Sequence, residues 1–141
     1  MKLSLGRSAI AAVAAELGTY VVWGVLLLVA GLILTSPSRT RWFAYLFGQS
    51  AGIFCGFVLC IFAARWAAAA SEDAVKTGIV VGALCAMLNG SIALVLVGEF
   101  PPILLAGSLS RVLGGAVGGW LLHRRRGPNK PIHPTCEDAR A

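Results

Sequence analysis

The stretch that decides the fold is residues 103–122, ILLAGSLSRVLGGAVGGWLL. A helix of about 20 mainly apolar residues crosses a bilayer, and this stretch has that length and character. Arg111, its one ionised side chain, lies near the middle, where a charged group must face a partner or water instead of lipid. We therefore predict a membrane-spanning helix whose inner face is organised around Arg111.

The rest of the chain has the composition of a membrane protein. Of its 141 residues, 57% are hydrophobic and only 13% are charged, whereas soluble domains carry about 25% charged residues. Apolar runs predict four spans, at about residues 9–34, 42–66, 75–97 and 103–122. We predict an all-α integral membrane four-helix bundle over residues 1–126, with a polar turn over residues 35–41. The remaining residues, 127–141, contain three prolines and no apolar periodicity, so we expect a disordered cytoplasmic tail.

The basic residues predict the orientation in the membrane. Four spans place both termini on one side, and the positive-inside rule assigns the side with more Lys and Arg to the cytoplasm. Nine Lys and Arg residues fall on the terminal side, and only Arg39 and Arg41 fall on the other. We therefore expect a multi-pass protein of the cell inner (plasma) membrane with both termini in the cytoplasm. This bias also explains the net charge of +6, so we expect the lipid bilayer as a partner and no nucleic acid.

Glycines recur at intervals of four or eight residues on three predicted spans, so each set shares one helix face. The sets are Gly48, Gly52 and Gly56 on the second span, Gly78, Gly82 and Gly90 on the third, and Gly107, Gly115 and Gly119 on the fourth. In lipid, small residues let helix backbones approach closely. The pattern predicts close packing within one bundle, between copies of the chain in a homo-oligomer, or with another membrane protein. Glycine is also frequent in membrane helices generally, so the pattern does not choose among these.

Four polar side chains fall within the predicted spans: Glu16, Gln49, Asn89 and Arg111. At a rise of 1.5 Å per residue, Glu16 and Arg111 differ in depth by roughly 6 Å, which an arginine stem extending toward the cytoplasmic side covers. Asn89 lies at nearly the depth of Arg111. Three interpretations stay open: a proton- or substrate-binding site, a structural ion pair between the first and fourth spans, or Glu16 in interfacial water.

No arrangement of residues is typical of an enzyme or of a metal site. The two histidines, His123 and His133, lie at the end of the fourth span and in the tail, and no serine or cysteine stands beside a base. Cys55, Cys60 and Cys85 fall inside spans, where thiols behave as small apolar groups. We therefore predict no enzymatic activity, no catalytic residue, no cofactor and no metal.

Two parts of the sequence resemble known membrane proteins. Residues 15–19, AELGT, resemble the first-span A-E-x-x-G-T segment of small multidrug-resistance transporters, which also have four spans. That resemblance implies proton and cationic-drug binding at Glu16, although Gly18 stands one position early. The layout GIFCGFVLCIFAAR, a charged turn, GIVVGALCAMLNG and a glycine-rich last span resembles uncharacterised small four-span bacterial membrane proteins. That second resemblance implies no particular activity.

These observations predict a structural or accessory membrane protein, with self-association through its glycine faces as one of the open packing arrangements. The alternative is a small proton- or cation-coupled transporter that uses Glu16 and Arg111. The two differ in whether the polar groups inside the spans meet in a dry contact or in a water-accessible cavity.

Overall fold

The computed structural model describes residues 5–34, 36–43, 47–97 and 103–126. Its helices are α1 (Leu5–Ile33), α2 (Pro37–Phe43), α3 (Gln49–Ala68), α4 (Ala74–Val97) and α5 (Ile103–Arg126). In these ranges four helices, α1, α3, α4 and α5, are long and apolar enough to cross a membrane. The prediction of an all-α fold with four spanning helices is confirmed. The predicted disordered tail, residues 127–141, lies outside the described residues.

Two helices cover the predicted second span and part of the turn before it. A span is expected over residues 42–66; the seven-residue helix α2 ends at Phe43, residues 44–46 lie outside the described residues, and the apolar helix covers Ser50–Ala68. Pro37 begins α2, where its missing N–H removes no hydrogen bond, so the predicted polar turn over residues 35–41 is partly helical. Trp42 belongs to α2.

Polar contacts fix the turn between α3 and α4. The Asp73 carboxylate accepts a hydrogen bond from the backbone N–H of Lys76 (3.1 Å) and pairs with its ammonium group (2.9 Å), so Asp73 caps the start of α4. The side chain of Lys76, and secondly its backbone N–H, hold the pKa of Asp73 below its usual value. Arg126, at the end of α5, donates hydrogen bonds to the carbonyl oxygens of Ser71 (2.8 Å) and Ala69 (2.5 Å). These bonds tie the end of α5 to the same turn.

Small side chains fill the interior, and large apolar side chains cover the exterior. The buried core cluster consists of Ala11, Ala12, Ala15, Cys60, Ala64, Ala67, Val81 and Cys85. On the outside, Leu32, Phe54, Met87 and Leu109 are each more than half exposed. This distribution would be unfavourable in water, but it suits lipid, which is as apolar as these side chains. The fold is therefore that of a multi-pass membrane protein in contact with the bilayer.

The helix α1 lies diagonally opposite α5 in the bundle. The helices α3 and α4 pack against each other and against both of the remaining long helices, whereas in the described ranges the backbones of α1 and α5 stay more than 8 Å apart. The helix α5 approaches its neighbours at glycines. A Cβ added to Gly114 would lie 2.6 Å from the carbonyl oxygen of Phe57 in α3, and one added to Gly115 would meet the carbonyl oxygen of Gly78 in α4. A link between α1 and α5 must therefore be made by side chains that cross the bundle centre.

Candidate functional site

A buried ion pair makes this link across the bundle centre. The Nε atom of Arg111 on α5 donates to Oε1 of Glu16 on α1, and its Nη2 atom donates to Oε2 (3.1 Å). Only 4% of Arg111 and 3% of Glu16 is exposed. Two parallel charge-assisted hydrogen bonds are a strong and geometrically specific arginine–carboxylate contact. The pair therefore joins the two long helices whose backbones do not touch.

Arg111 folds back along its own helix. Its Nη1 atom donates to the carbonyl oxygen of Gly107, one turn earlier, at 3.0 Å. Long helical side chains lean toward the helix N-terminus, so Arg111 points toward the start of α5. With both termini in the cytoplasm this end of α5 faces away from it, so the predicted orientation and the expected extension toward the cytoplasmic side do not hold together. Sequence reasoning also missed this backbone acceptor. The signal for it is the glycine four residues before the arginine, because a residue without a side chain leaves room for the guanidinium.

The flat face of the guanidinium lies against Gly56 on α3. A Cβ added to Gly56 would lie 3.1 Å from Cζ of Arg111 and 3.2 Å from both Nη1 and Nη2. Three nearly equal distances place that Cβ over the guanidinium plane. Gly56 therefore makes the space that the cation occupies at the bundle centre.

A cavity of about 320 Å³ lies next to the pair, in the half of the bundle that leads to the α1–α2 and α4–α5 connections. Its walls include the aromatic rings of Tyr20 and Trp23, and Arg111 and Asn89 also line it. Glu16 does not line the cavity, because it lies on the other side of the guanidinium. The cavity is therefore in contact with the positive end of the ion pair.

Asn89 on α4 is the polar neighbour of Arg111 in this cavity. Its Nδ2 atom lies 3.8 Å from the position that a Cβ on Gly107 would take, and Nη1 of Arg111 lies 3.3 Å from that position. Asn89 is only 8% exposed, and its side chain makes no hydrogen bond with another residue in the part of the chain that the structure describes. Because Asn89 lines the cavity, its amide has hydrogen-bonding capacity that a ligand or water in the cavity could satisfy.

Seven of the nine glycines of the predicted faces fall into two sets. Those at the α4–α5 contact, where an added Cβ would collide with the facing backbone, are Gly78, Gly82, Gly115 and Gly119. Gly48, Gly52 and Gly107 instead border the cavity. Gly52 has no atom within 4 Å of an added Cβ among the described residues, so its predicted packing role is corrected: Gly52 leaves space open. Gly48 contacts the ring of Trp23, whose Nε1 would lie 2.8 Å from an added Cβ.

Two remaining predicted residues contribute less. Gln49 is the first residue of α3, and its side chain lies outside the described part of the structure. Gly90 is half-buried on α4. Of the four polar residues singled out in the spans, the structure thus brings together Glu16, Asn89 and Arg111.

The fold and the site define the class of this protein: an all-α, multi-pass membrane protein with an ion pair buried among its spanning helices. Within the described ranges no group of three His, Cys, Asp or Glu side chains is placed to hold a metal ion. No family model, curated protein or solved structure matches the chain.

Proposed function

We propose that this chain is a structural or accessory protein of the bacterial inner membrane, with both termini in the cytoplasm and no enzymatic activity. The observation that supports this role is the buried contact between Glu16 and Arg111, which are 3% and 4% exposed. A charged group at mid-membrane depth is costly unless it is paired. Here the two charges neutralise each other and hold α1 and α5 in one arrangement. A scaffold requires such a fixed arrangement, whereas a carrier would have to break it in every cycle.

The accessory role is tested first through the topology. Cys136 and a cysteine introduced by Ser38→Cys should report on opposite sides of the membrane, because the positive-inside rule places the termini in the cytoplasm. In intact cells, a membrane-impermeant thiol reagent should label Ser38→Cys and spare Cys136. Labelling of Cys136 from outside would contradict the proposed orientation.

Self-association, or association with another membrane protein, is part of the proposed role. It is supported by the large apolar side chains that cover the outside of the bundle, since a second membrane protein packs on such a surface as readily as lipid does. Counting of photobleaching steps in lipid nanodiscs at increasing protein density measures the oligomeric state. A density-independent single step would exclude the homo-oligomer and leave a different membrane protein as the partner.

The cavity favours a second candidate function, a small proton-coupled transporter. The site has a titratable carboxylate, Glu16, paired with an arginine that borders the cavity, and such intramembrane groups mark many proton and solute pathways. Because the cavity contacts Arg111 and not Glu16, the geometry supports a cationic substrate less well than the resemblance to multidrug transporters implied.

One flux measurement separates the two candidate functions. The wild-type chain and Glu16→Gln are reconstituted into liposomes that contain a pH-sensitive dye. An accessory protein gives the same proton flux as empty liposomes in both cases. A transporter gives a flux that disappears in Glu16→Gln while the variant keeps its helical circular dichroism spectrum.

A further inference from the structure

We propose that the cavity bordered by Arg111 and Asn89 binds a small organic carboxylate with an apolar body, and that one proton is taken up with it. The inference concerns binding alone, so it goes beyond both the accessory and the transport role and depends on neither. The donors, the apolar walls and the charge of the site support it separately.

The first support is the set of free donors on Arg111. A guanidinium has five N–H groups, and three of these donate to Glu16 and to the Gly107 carbonyl. One N–H on Nη1 and one on Nη2 remain, and guanidinium N–H groups on two nitrogens can bind a carboxylate with two hydrogen bonds. Asn89, buried beside these groups and without a partner among the described residues, adds a further N–H donor. The structure thus has an unused three-donor group at one place in the cavity wall.

The second support is the apolar remainder of the cavity. Ile53, Tyr20 and Trp23 line it, so an aromatic or short aliphatic group can pack there. Its volume of about 320 Å³ lies at the lower end of the usual range for ligand sites, about 300–1,000 Å³. The ligand class is therefore a small amphipathic acid and not an inorganic anion, which would leave these walls without contacts.

The third support is the charge balance of the site, because binding of a carboxylate there requires the uptake of one proton. Glu16 and Arg111 together carry no net charge, so an added carboxylate would leave one uncompensated negative charge inside the bundle, and such a charge is strongly unfavourable. Transfer of one proton from water to the Glu16 carboxylate restores neutrality, and Arg111 then balances the ligand. The other titratable side chains around the pair are Tyr20 on α1, Cys60 on α3 and Cys85 on α4. Phenols and thiols are ordinarily neutral near pH 7, so none of these three supplies a compensating charge.

The test uses the purified full chain in non-ionic detergent and isothermal titration with benzoate. Its uncharged isostere benzamide and the cation benzylammonium are the comparison ligands. We expect benzoate to bind at least about tenfold more tightly than either, because only the carboxylate accepts from the charged donors. Uptake of one proton predicts that benzoate affinity rises about tenfold for each unit by which the pH falls between 7.5 and 5.5. Equal affinity for benzoate and benzamide, or tighter binding of benzylammonium, would overturn the proposal.

The acid could come from the aqueous phase or from the bilayer, and dodecanoate distinguishes these sources. Tighter binding of benzoate assigns the site to water-soluble acids, and tighter binding of dodecanoate assigns it to single-chain lipid acids. Either result supports the shared carboxylate chemistry, and failure of both ligands to bind refutes it.

Three variants connect binding to the site. Gly52→Leu fills the cavity at a position with open space, so the protein should keep its thermal midpoint and lose benzoate binding. Asn89→Ala should weaken binding roughly tenfold by removing one donor to a charged acceptor. Glu16→Gln leaves Arg111 without a carboxylate, so benzoate should bind with an affinity that no longer changes with pH. Leu109→Val, on the lipid-facing surface, is the matched control and should bind as the wild type does.

The variants keep the proposal falsifiable in every case. Unchanged benzoate binding in a folded Gly52→Leu would refute the site. If Glu16→Gln does not fold, the pH dependence of the wild type and the Gly52→Leu result decide the question. Failure of the proposed function is seen in the topology and flux experiments instead, because neither of them includes a carboxylate ligand.

Discussion

Replacing Glu16 and Arg111 by glutamine, singly and together, measures how strongly the buried ion pair couples α1 to α5. The structure gives the size of the expected effect. Both groups are almost fully buried, so each single change leaves the other charge without its partner, which costs about 3–5 kcal/mol. Arg111 cannot avoid this cost by losing its proton, because its guanidinium stays charged in proteins. In Glu16→Gln the Gly107 carbonyl and the new amide oxygen would remain as acceptors, but neither carries a charge that balances the guanidinium.

The double variant should be much less affected than the sum of the single variants. Two glutamines carry no charge and can hydrogen-bond to each other across the bundle centre, so we expect a loss of about 1–3 kcal/mol. The coupling energy, which is the sum of the two single losses minus the double loss, is then at least about 3 kcal/mol. Reversible unfolding in mixed detergent micelles, followed by circular dichroism at pH 7, provides the three free energies.

The control for this cycle pairs Glu16→Gln with Leu109→Val, a lipid-facing change distant from the pair. The losses in free energy of unfolding caused by these two changes should add within about 0.5 kcal/mol. If the losses in free energy for Glu16→Gln and Arg111→Gln are additive within the same margin, the two side chains do not stabilise each other. Glu16 would then be in contact with interfacial water, and the reasoning from the ion pair would be refuted.

Three further predictions concern packing and the α4 cap. Gly56→Ala should cost about 1–3 kcal/mol, because the guanidinium held by its three hydrogen bonds cannot move aside, whereas Gly52→Ala, which faces open space, should stay within about 0.5 kcal/mol in the same unfolding assay. Gly115→Ala should also lose about 1–3 kcal/mol by forcing α5 away from the facing carbonyl of α4; an unchanged thermal midpoint would contradict this close contact. Asp73→Asn should be less stable than the wild type at neutral pH, because the contact with Lys76 lowers the pKa of Asp73 from its ordinary value of 3.8. That contact stabilises the folded chain above this ordinary value, and the stabilisation is lost as the pH falls through the lowered pKa. The thermal midpoints of Asp73→Asn and of the wild type, measured from pH 7 down to acidic pH, should therefore converge. A difference that stays constant over this range would refute the cap.

The span count could be predicted from the sequence because lipid imposes a simple rule on it. Every spanning helix must be long and apolar, and four such stretches are visible in the residues. The start of α4 was also predictable, since an acidic residue before an apolar run is a usual N-cap. The short helix α2 was not predictable, because Pro37 can either stop a helix or begin one, and it begins α2. Local composition does not decide between these two uses.

The contact between Glu16 and Arg111 could be predicted from the sequence only through an estimate of how deep each residue lies in the membrane. Helix rise placed the two residues at similar depths, and Arg111 had no other carboxylate available within the spans. The predicted extension of its side chain toward the cytoplasmic side was based on the depth of Glu16 alone and did not include the lean of helical side chains toward the N-terminus. Their energetic coupling stays a prediction until the double-mutant cycle is measured.

The cavity could not be predicted, since a glycine has the same letter whether it brings two backbones together or leaves a space empty. Gly52 and Gly56 stand one turn apart on α3, yet one borders open space and the other contacts the guanidinium. Gly56 contacts the guanidinium because the side chain of Arg111 ends beside it. Arg111 ends there because it folds back onto the carbonyl oxygen of Gly107, one turn before it on α5. The two halves of the bundle on either side of Arg111 therefore differ. In the half toward the start of α4 and the end of α5, glycines such as Gly115 bring these two helices into contact. In the half toward the α1–α2 and α4–α5 connections, the missing side chains leave a cavity that is lined by the positive end of the ion pair. A site with this arrangement attracts an anion and requires a proton, so binding at varying pH is the measurement most closely tied to the structure.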